Sequence, residues 1–458
     1  MKKFIGDKAF YRTVFRLVVP MIIQSAITSL VSLVDNLMVG SLGTESIAAV
    51  AVTNQIFMVF NLLIFGGSSA AGIFTAQFFG NGDDEGVKNT FRWKLWFCTI
   101  AVTVGVTVFV TFDDQLISAF MTSSEGADIA LAAKLAKQYM YIMLIGLIPF
   151  SFTNVYTSTM KECNKTFLPM ISGVVAVLTN VVLNYTLIFG KFGAPALGVA
   201  GAAIATVISR FVEILIAAIG AHTSKDKGYD FTKGVFKKLS IPKELTFGVL
   251  KKGFPLICNE VFWSLGMTLI NQAYSTRGLE AVAAFSIANT INNLFTMSFM
   301  TMGNAVAILV GQQLGSGDME GAVDTDRKLI ATGLMGSVVM GIALILAAPF
   351  IVQLYKTDPS TKEIATGIMT AAAFFFPLMS YTHCTYFTMR SGGKTFITFL
   401  FDSVFTCLVS FPTAYVLSRF TDLTMVQMYI AVEATSLIKA AIGTVLLVKR
   451  VWVNNIIS

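Results

Sequence analysis

Twelve stretches of this chain are apolar for more than twenty residues each. They cover 13–39, 47–79, 91–112, 131–158, 166–190, 198–221, 253–275, 281–311, 327–355, 363–389, 395–418 and 424–448. A helix crosses the hydrocarbon core of a bilayer with about 20 such residues, so each run is long enough to span. Several exceed 25 residues, which predicts tilt or protrusion into water. A soluble alternative fails on supply: only 13% of the chain is charged and 55% is hydrophobic, against about 25% charged in soluble domains. The opening "MKKFIGDKAFYRTVFR" is basic, but the apolar run behind it is too long for a signal peptide and lacks an A-x-A-like exit. The expected fold is an all-α polytopic membrane protein.

Orientation follows from where the bases fall. With the N-terminus inside, the inner segments hold 24 Lys and Arg and the outer segments 7, while Arg210 and Lys439 lie within spans. The inner set begins with Lys2, Lys3, Lys8, Arg12 and Arg16 and includes eight lysines in the 222–252 linker. Both termini are therefore expected in the cytoplasm, with the protein in the plasma membrane. The net charge of +7 is spread over these short segments, so no nucleic-acid partner is expected. Cys98, Cys163, Cys258, Cys384 and Cys407 are odd in number, lack CxxC spacing and lie in or beside apolar runs. Neither a disulfide framework nor a cysteine metal site is expected.

The linker divides the spans six and six, and the halves are copies. Shifting the sequence by 235 sets Pro20 on Pro255, Asn36 on Asn271, Gly43 on Gly278, Asn54 on Asn289 and Gln77 on Gln312, and "GNGDDEG" at Gly80 on "GSGDMEG" at Gly315. Roughly 20 of 67 positions from Pro20 to Gly86 are identical, the mark of an internal repeat. A weaker match sets "TMKECNKTF" at Thr159 on "TMRSGGKTF" at Thr388. With six spans each, the copies are parallel, and transporters so built place substrate near the midplane between halves. The expected organisation is an N-lobe (1–221), a basic cytoplasmic linker (222–252) and a C-lobe (253–458), two pseudo-symmetric six-helix lobes around a central cleft.

Asp35, in "SLVSLVDNLMVGSLG", is an acid without a neighbouring base. At about 1.5 Å per residue it lies roughly 12 Å below the outer end of its span at Gly43. An ionised carboxylate at that depth faces a bundle interior or a wet cavity and is functional by default. It is positioned to load a proton or Na⁺ on one side and release it on the other. Asn180 and Asn184, four apart on one helix face, are candidates with Asn154 and Thr206 to surround it with neutral oxygens. Glu260, with Asn259 and Asn271 in its span, is the second-half acid, for cationic substrate or a cation. The repeat pairs Glu260 with Ser25 and Asp35 with Ile270, so the two acids are not equivalent. His383 and Asp402 are further candidates. Asp402, Glu433 and Lys439 read as one internal charge cluster, Arg210 and Glu213 as another. "GQQLGSGDMEG" lacks the GxxxxGK[ST] of a phosphate loop and reads as a repeated cytoplasmic turn.

"PMIIQSAITSLVSLVDNLMVGSLG" and "NVVLNYTLIFGKFGAPALGVAGAAIATVISR" resemble the multidrug and toxic compound extrusion (MATE) family, and the likeness extends over nearly the whole chain. The resemblance implies cation-coupled antiport of amphipathic, often cationic organic compounds out of the cell, with Asp35 as the coupling acid and Asn180 and Thr206 near it. Asn184 stands where the DinF-like branch often has a second aspartate, and the tenth span lacks the acid of the NorM-like branch. The expected function is a secondary active multidrug exporter, monomeric, working by alternating access, with H⁺ or Na⁺ as coupling ion, no other cofactor, and no metal beyond Na⁺ at Asp35 or Glu260. The alternative on the same superfold is a lipid-linked glycan flippase, which calls for a strongly basic cavity. An enzyme is not expected, because no nucleophile–base pair is visible.

Overall fold

The computed structural model describes residues 4–120 and 129–457; Lys2 and Lys3 lie outside them. Among the described residues the secondary structure is helical, with no strand. Six spans and one short helix, α4, come first: α1 (Lys8–Gly40), α2 (Thr44–Gly80), α3 (Asp84–Thr111), α4 (Asp113–Phe120), α5 (Ile129–Glu162), α6 (Phe167–Phe189) and α7 (Val199–Thr223). After the linker come α8 (Lys243–Ser275), α9 (Leu279–Gly315), α10 (Met319–Gln353), α11 (Pro359–Ser391), α12 (Thr395–Phe420) and α13 (Met425–Val448). All but α4 are long and apolar enough to cross a membrane, which makes the expected twelve.

Helices α3, α8 and α10 start seven, ten and eight residues ahead of their expected spans, and α4 is an element not expected. Helix α8 starts at Lys243, ten residues ahead of its apolar run. Pro242 precedes it and Glu244 lies in its first turn, both features of a helix start, and Leu245 and Val249 are buried. The unforeseen α4 is tied to α5 by polar contacts: Asp113 accepts a hydrogen bond from Tyr141 at 2.6 Å and pairs with Lys137 at 2.8 Å. Those partners hold the Asp113 carboxyl down to about 2.

The helices cluster into two compact units, Val19–Thr75 with Asp84–Val249, and Met1–Val18 with Ala76–Asp83 and Leu250–Ser458. In the first, α7 packs along α5 and α6. Small residues allow this approach, as is usual between membrane helices: a Cβ on Gly201 would sit 2.5 Å from the Leu187 carbonyl oxygen. Lys94 is fully buried and paired with Glu162 at 2.6 Å, with Ser158 and Thr159 hydroxyls at 3.1 and 3.2 Å. The linker is seated rather than loose. Phe231 and Val235 are buried, Phe231 packs on Phe91 at 5.2 Å between ring centroids, and Arg92 Nε donates to the Val235 carbonyl at 2.9 Å.

In the second unit α9, α10 and α11 pack together around Phe299, Leu344 and Phe376. Helix α12 contains π turns at Leu400–Val404 and Thr406–Ser410, and α13 is interrupted at Thr435. The repeated glycine turns are superimposable in their bonding. Asn81, Gly82 and Asp83 donate to Gln77, Phe79 and Phe78, as Ser316, Gly317 and Asp318 donate to Gln312, Leu314 and Gln313. Gly82 and Gly317 have φ of +72° and +83°, the left-handed region open to glycine. Just before the turns, Gly80 lies on the Gln312 backbone and Gly315 on the Gln77 backbone, leaving no room for a Cβ at either.

Candidate functional site

Asp35 opens onto a cavity of about 320 Å³ lined by α1, α2, α5, α6 and α7, including Asn36, Asn54, Asn61, Tyr139, Asn184, Thr206 and Arg210. The carboxylate is half-buried. Its Oδ1 accepts from Asn184 Nδ2 at 2.7 Å, and Asn184 Nδ2 also reaches Asn180 Oδ1 at 3.1 Å. The α6 helix brings these amides together because residues four apart share a face. Thr206 on α7 closes the shell, 3.2 Å from the Asn180 amide, with its own hydroxyl donating to Ala202 O at 3.0 Å.

The Asn180 amide is satisfied with its nitrogen toward Asp35, whereas its oxygen there would set a second acceptor against the carboxylate. With its nitrogen forward, it donates to both carboxylate oxygens at 2.9 Å and its oxygen accepts from Thr206 at 3.2 Å. With its oxygen forward, it faces the carboxylate as a second acceptor, and the nitrogen donates to Thr206 Oγ1. Two oxygens at that separation need a proton on the carboxyl or a cation between them. The nitrogen-forward orientation is the one that suits the bare anion.

No base clamps the site. Asp35 forms no ion pair among the described residues. Arg210 lines the same cavity but is held by Glu213 at 2.9 Å and lies over the Phe150 ring at 5.3 Å. Of the expected shell, Asn154 does not line the cavity; its Oδ1 is buried without a hydrogen bond among the described residues. Asn36, Asn54 and Asn61 were not singled out as site residues. A signal existed: Asn54 and Asn61 are seven apart, on one face of an apolar helix.

The second-half candidates do not form one group. Asn259 donates to Asp402 Oδ2 at 3.2 Å and to the Tyr386 hydroxyl at 3.3 Å. Glu260 is half-buried, makes no hydrogen bond or ion pair among the described residues, and feels the charges of Arg390 and Asp402. Asn271 is exposed. Asp402 pairs with Lys439 at 2.6 Å, while Glu433 forms no ion pair among the described residues and interacts with Lys439 only through its charge. His383 Nε2 lies 3.1 Å from the Met300 carbonyl, and its ring packs on Phe387, a bonded core position. Among the described residues no group of three potential metal ligands occurs.

Twelve spans in two copies, with an acid set among amides in the first, define a duplicated polytopic membrane protein. The MatE family model matches residues 20–186 and again 255–416, starting at the two prolines that the repeat superimposes. This chain belongs to the MatE family and is a multi-pass membrane protein. It is 25% identical to the probable multidrug resistance protein NorM of Thermotoga maritima over 96% of this chain and 93% of that protein. It is 28% identical to the multidrug resistance protein MdtK of Yersinia pseudotuberculosis over 82% of this chain and 80% of that one. The fold matches an outward-facing multidrug resistance MATE family transporter of the MOP superfamily, with a TM-score of 0.85 and 23% identity over 98% of this chain and 97% of that one. It also matches a MOP superfamily transporter from Pyrococcus furiosus, with a TM-score of 0.84 and 22% identity over 98% and 97%.

Proposed function

We propose that this chain is a secondary active exporter of varied small organic compounds, in which Asp35 exchanges a proton or Na⁺ for drug. The multidrug resistance proteins it resembles support the export of varied compounds. The observation that carries the exchange is the Asp35 carboxylate itself, half-buried beside a cavity, bonded by an amide and without an ion pair among the described residues. Burying a bare carboxylate is costly unless hydrogen bonds or a counterion compensate. Here the amides hold the anion and a mobile cation relieves it, so occupancy by the ion and by a cationic drug oppose one another. A ligand shifts an alternating-access equilibrium only by its differential affinity for the two states; a site whose charge changes supplies that difference.

Glu260 in the second copy serves a cationic drug or a coupling cation. Substrates are amphipathic and cationic, and the protein works as a monomer in the plasma membrane with both termini cytoplasmic. The flippase alternative loses support from Arg210, whose charge is already paired with Glu213 in the Asp35 cavity. Purified protein in liposomes, loaded with ethidium, tests the reading when pH and Na⁺ gradients are imposed separately. Uphill movement driven by one of them is expected. Ethidium that only runs down its own gradient, indifferent to both ions, refutes exchange.

A further inference from the structure

The Asp402–Lys439 pair is a departure from the duplication, and the repeat shows how. The 235 shift sets Gln24 on Asn259, and the 229 shift of the Thr159–Thr388 match sets Gly173 on Asp402, Thr206 on Thr435 and Arg210 on Lys439. The structure bears this pairing out. In the first copy Gly173 lies against Gln24, whose Nε2 would be 2.9 Å from a Cβ there; in the second, Asp402 lies against Asn259 at 3.2 Å. A neutral helix crossing in one copy is thus an acid crossing in the other. The two basic residues also differ. Arg210 pairs with Glu213 one turn along its own helix, whereas Lys439 reaches across to α12 and lies 2.6 Å from Asp402 Oδ1 and 5.2 Å from the Phe401 ring centroid.

Asp402 is a compensated anion, with a nitrogen on each of its oxygens: Lys439 Nζ on Oδ1 and Asn259 Nδ2 on Oδ2. Ser403 Oγ donates to Asn259 Oδ1 at 2.7 Å, which turns the Asn259 nitrogen toward the carboxylate. The Tyr386 hydroxyl accepts from the same Asn259 nitrogen at 3.3 Å, and the π turn at Leu400–Val404 carries the acid, a distortion frequent at functional positions. The pair is not sealed: the Asp402 side chain is 18% exposed and that of Lys439 14%.

We infer that Lys439 is a tethered cation that fills the Asp402 niche and so withdraws this carboxylate from ion exchange, lowering by one the number of cations moved per drug. The inference rests on Asp35 being an exchanging acid. Its test is coupling stoichiometry in proteoliposomes at zero membrane potential. Steady-state ethidium accumulation equals the ion ratio raised to the number of cations exchanged, so one more cation at a tenfold gradient means tenfold more ethidium. Lys439→Met should show that increase and Asp402→Asn/Lys439→Met should return to the unmodified ratio. A purely structural ion pair would lower rate or stability in Lys439→Met and leave the ratio unchanged, which overturns the inference.

Should Lys439→Met fail to fold, the unmodified protein still decides. Dicyclohexylcarbodiimide modifies protonatable carboxyls in apolar surroundings, so it should label Asp35 and spare Asp402. Labelling of Asp402 at the rate of Asp35 refutes the tether. Unmodified uphill transport by Asp35→Asn would instead refute the exchange reading itself, whatever Lys439→Met does.

Discussion

Replacing Asp35 by Asn separates folding from coupling at a single site. The asparagine is nearly isosteric and keeps an oxygen for Asn184 Nδ2, now 2.7 Å from Asp35 Oδ1. Hydrogen bonds to a charged group contribute about 1.5–3 kcal/mol and neutral ones about 1, so each bond loses about 1 kcal/mol. Not having to bury a charge offsets much of this. Expression and thermal stability should therefore stay close to those of the unmodified protein. Coupling should vanish. One carboxylate exchanging one cation lets a tenfold ion gradient, about 1.4 kcal/mol, hold a tenfold drug gradient. With no titratable oxygen at position 35, and with Glu260 serving drug rather than a coupling cation, the drug ratio should settle at one. The assay is ethidium accumulation in proteoliposomes with the voltage clamped, alongside ethidium equilibration without an ion gradient to show that the carrier still turns over. A variant that folds, exchanges ethidium and still concentrates it near tenfold refutes the assignment of Asp35.

Four further outcomes follow from particular contacts. Glu162→Gln strands the fully buried Lys94 and should cost about 3–5 kcal/mol in detergent thermal unfolding, most of it recovered in Lys94→Met/Glu162→Gln; a neutral single variant refutes the pairing. Gly315→Ala drives a Cβ into the Gln77 backbone and should cost about 1–3 kcal/mol, whereas Gly336→Ala, with open space around it, should not destabilise; equal melting temperatures would show that α2 and α9 are not in close contact there. Because the Asp113 carboxyl is depressed from its ordinary value of 3.8 to about 2, its contribution is fully present above about pH 4 and is lost as pH falls through 2. The stability difference between Asp113→Asn and the unmodified protein should hold constant from pH 7 to 4 and shrink only below that; a difference that fades between pH 7 and 5 contradicts the contact. Ser240→Cys, in a background without the native cysteines, should react with an impermeant maleimide only from the cytoplasmic face, and labelling from outside would reverse the topology.

Much of this architecture was legible beforehand because lipid imposes a simple rule. Backbone groups in hydrocarbon must bond internally, so twelve apolar runs can only be helices, and the 235 and 229 shifts mark the second half as a copy of the first. The polar shell was half legible. Asn180 and Asn184 meet Asp35 because spacing along one helix sets their common face. Asn154 does not, since which helix that face turns toward is decided by tertiary packing. Asn259 and Glu260 are neighbours in sequence and were read together, but adjacent residues on a helix point about 100° apart. One reaches Asp402 and the other does not. The π turns in α12 leave no mark in hydropathy, so the meeting of Asp402 with Lys439 could be read as a cluster but not as a bond.

The seating of the linker decides where this polypeptide can be divided. Its anchors, Phe231 and Val235, belong with α3 and the first copy, while Phe236 to Ser240 is exposed. A gene split after Ser240 would spare the clasp on α3, but each fragment would need the other: residues up to Val18 and 76–83 pack with the second unit and the start of α8 packs with the first, so co-produced fragments could assemble without a covalent join. A split a few codons earlier would cut through the clasp on α3 and leave the first fragment with bare aromatic pockets.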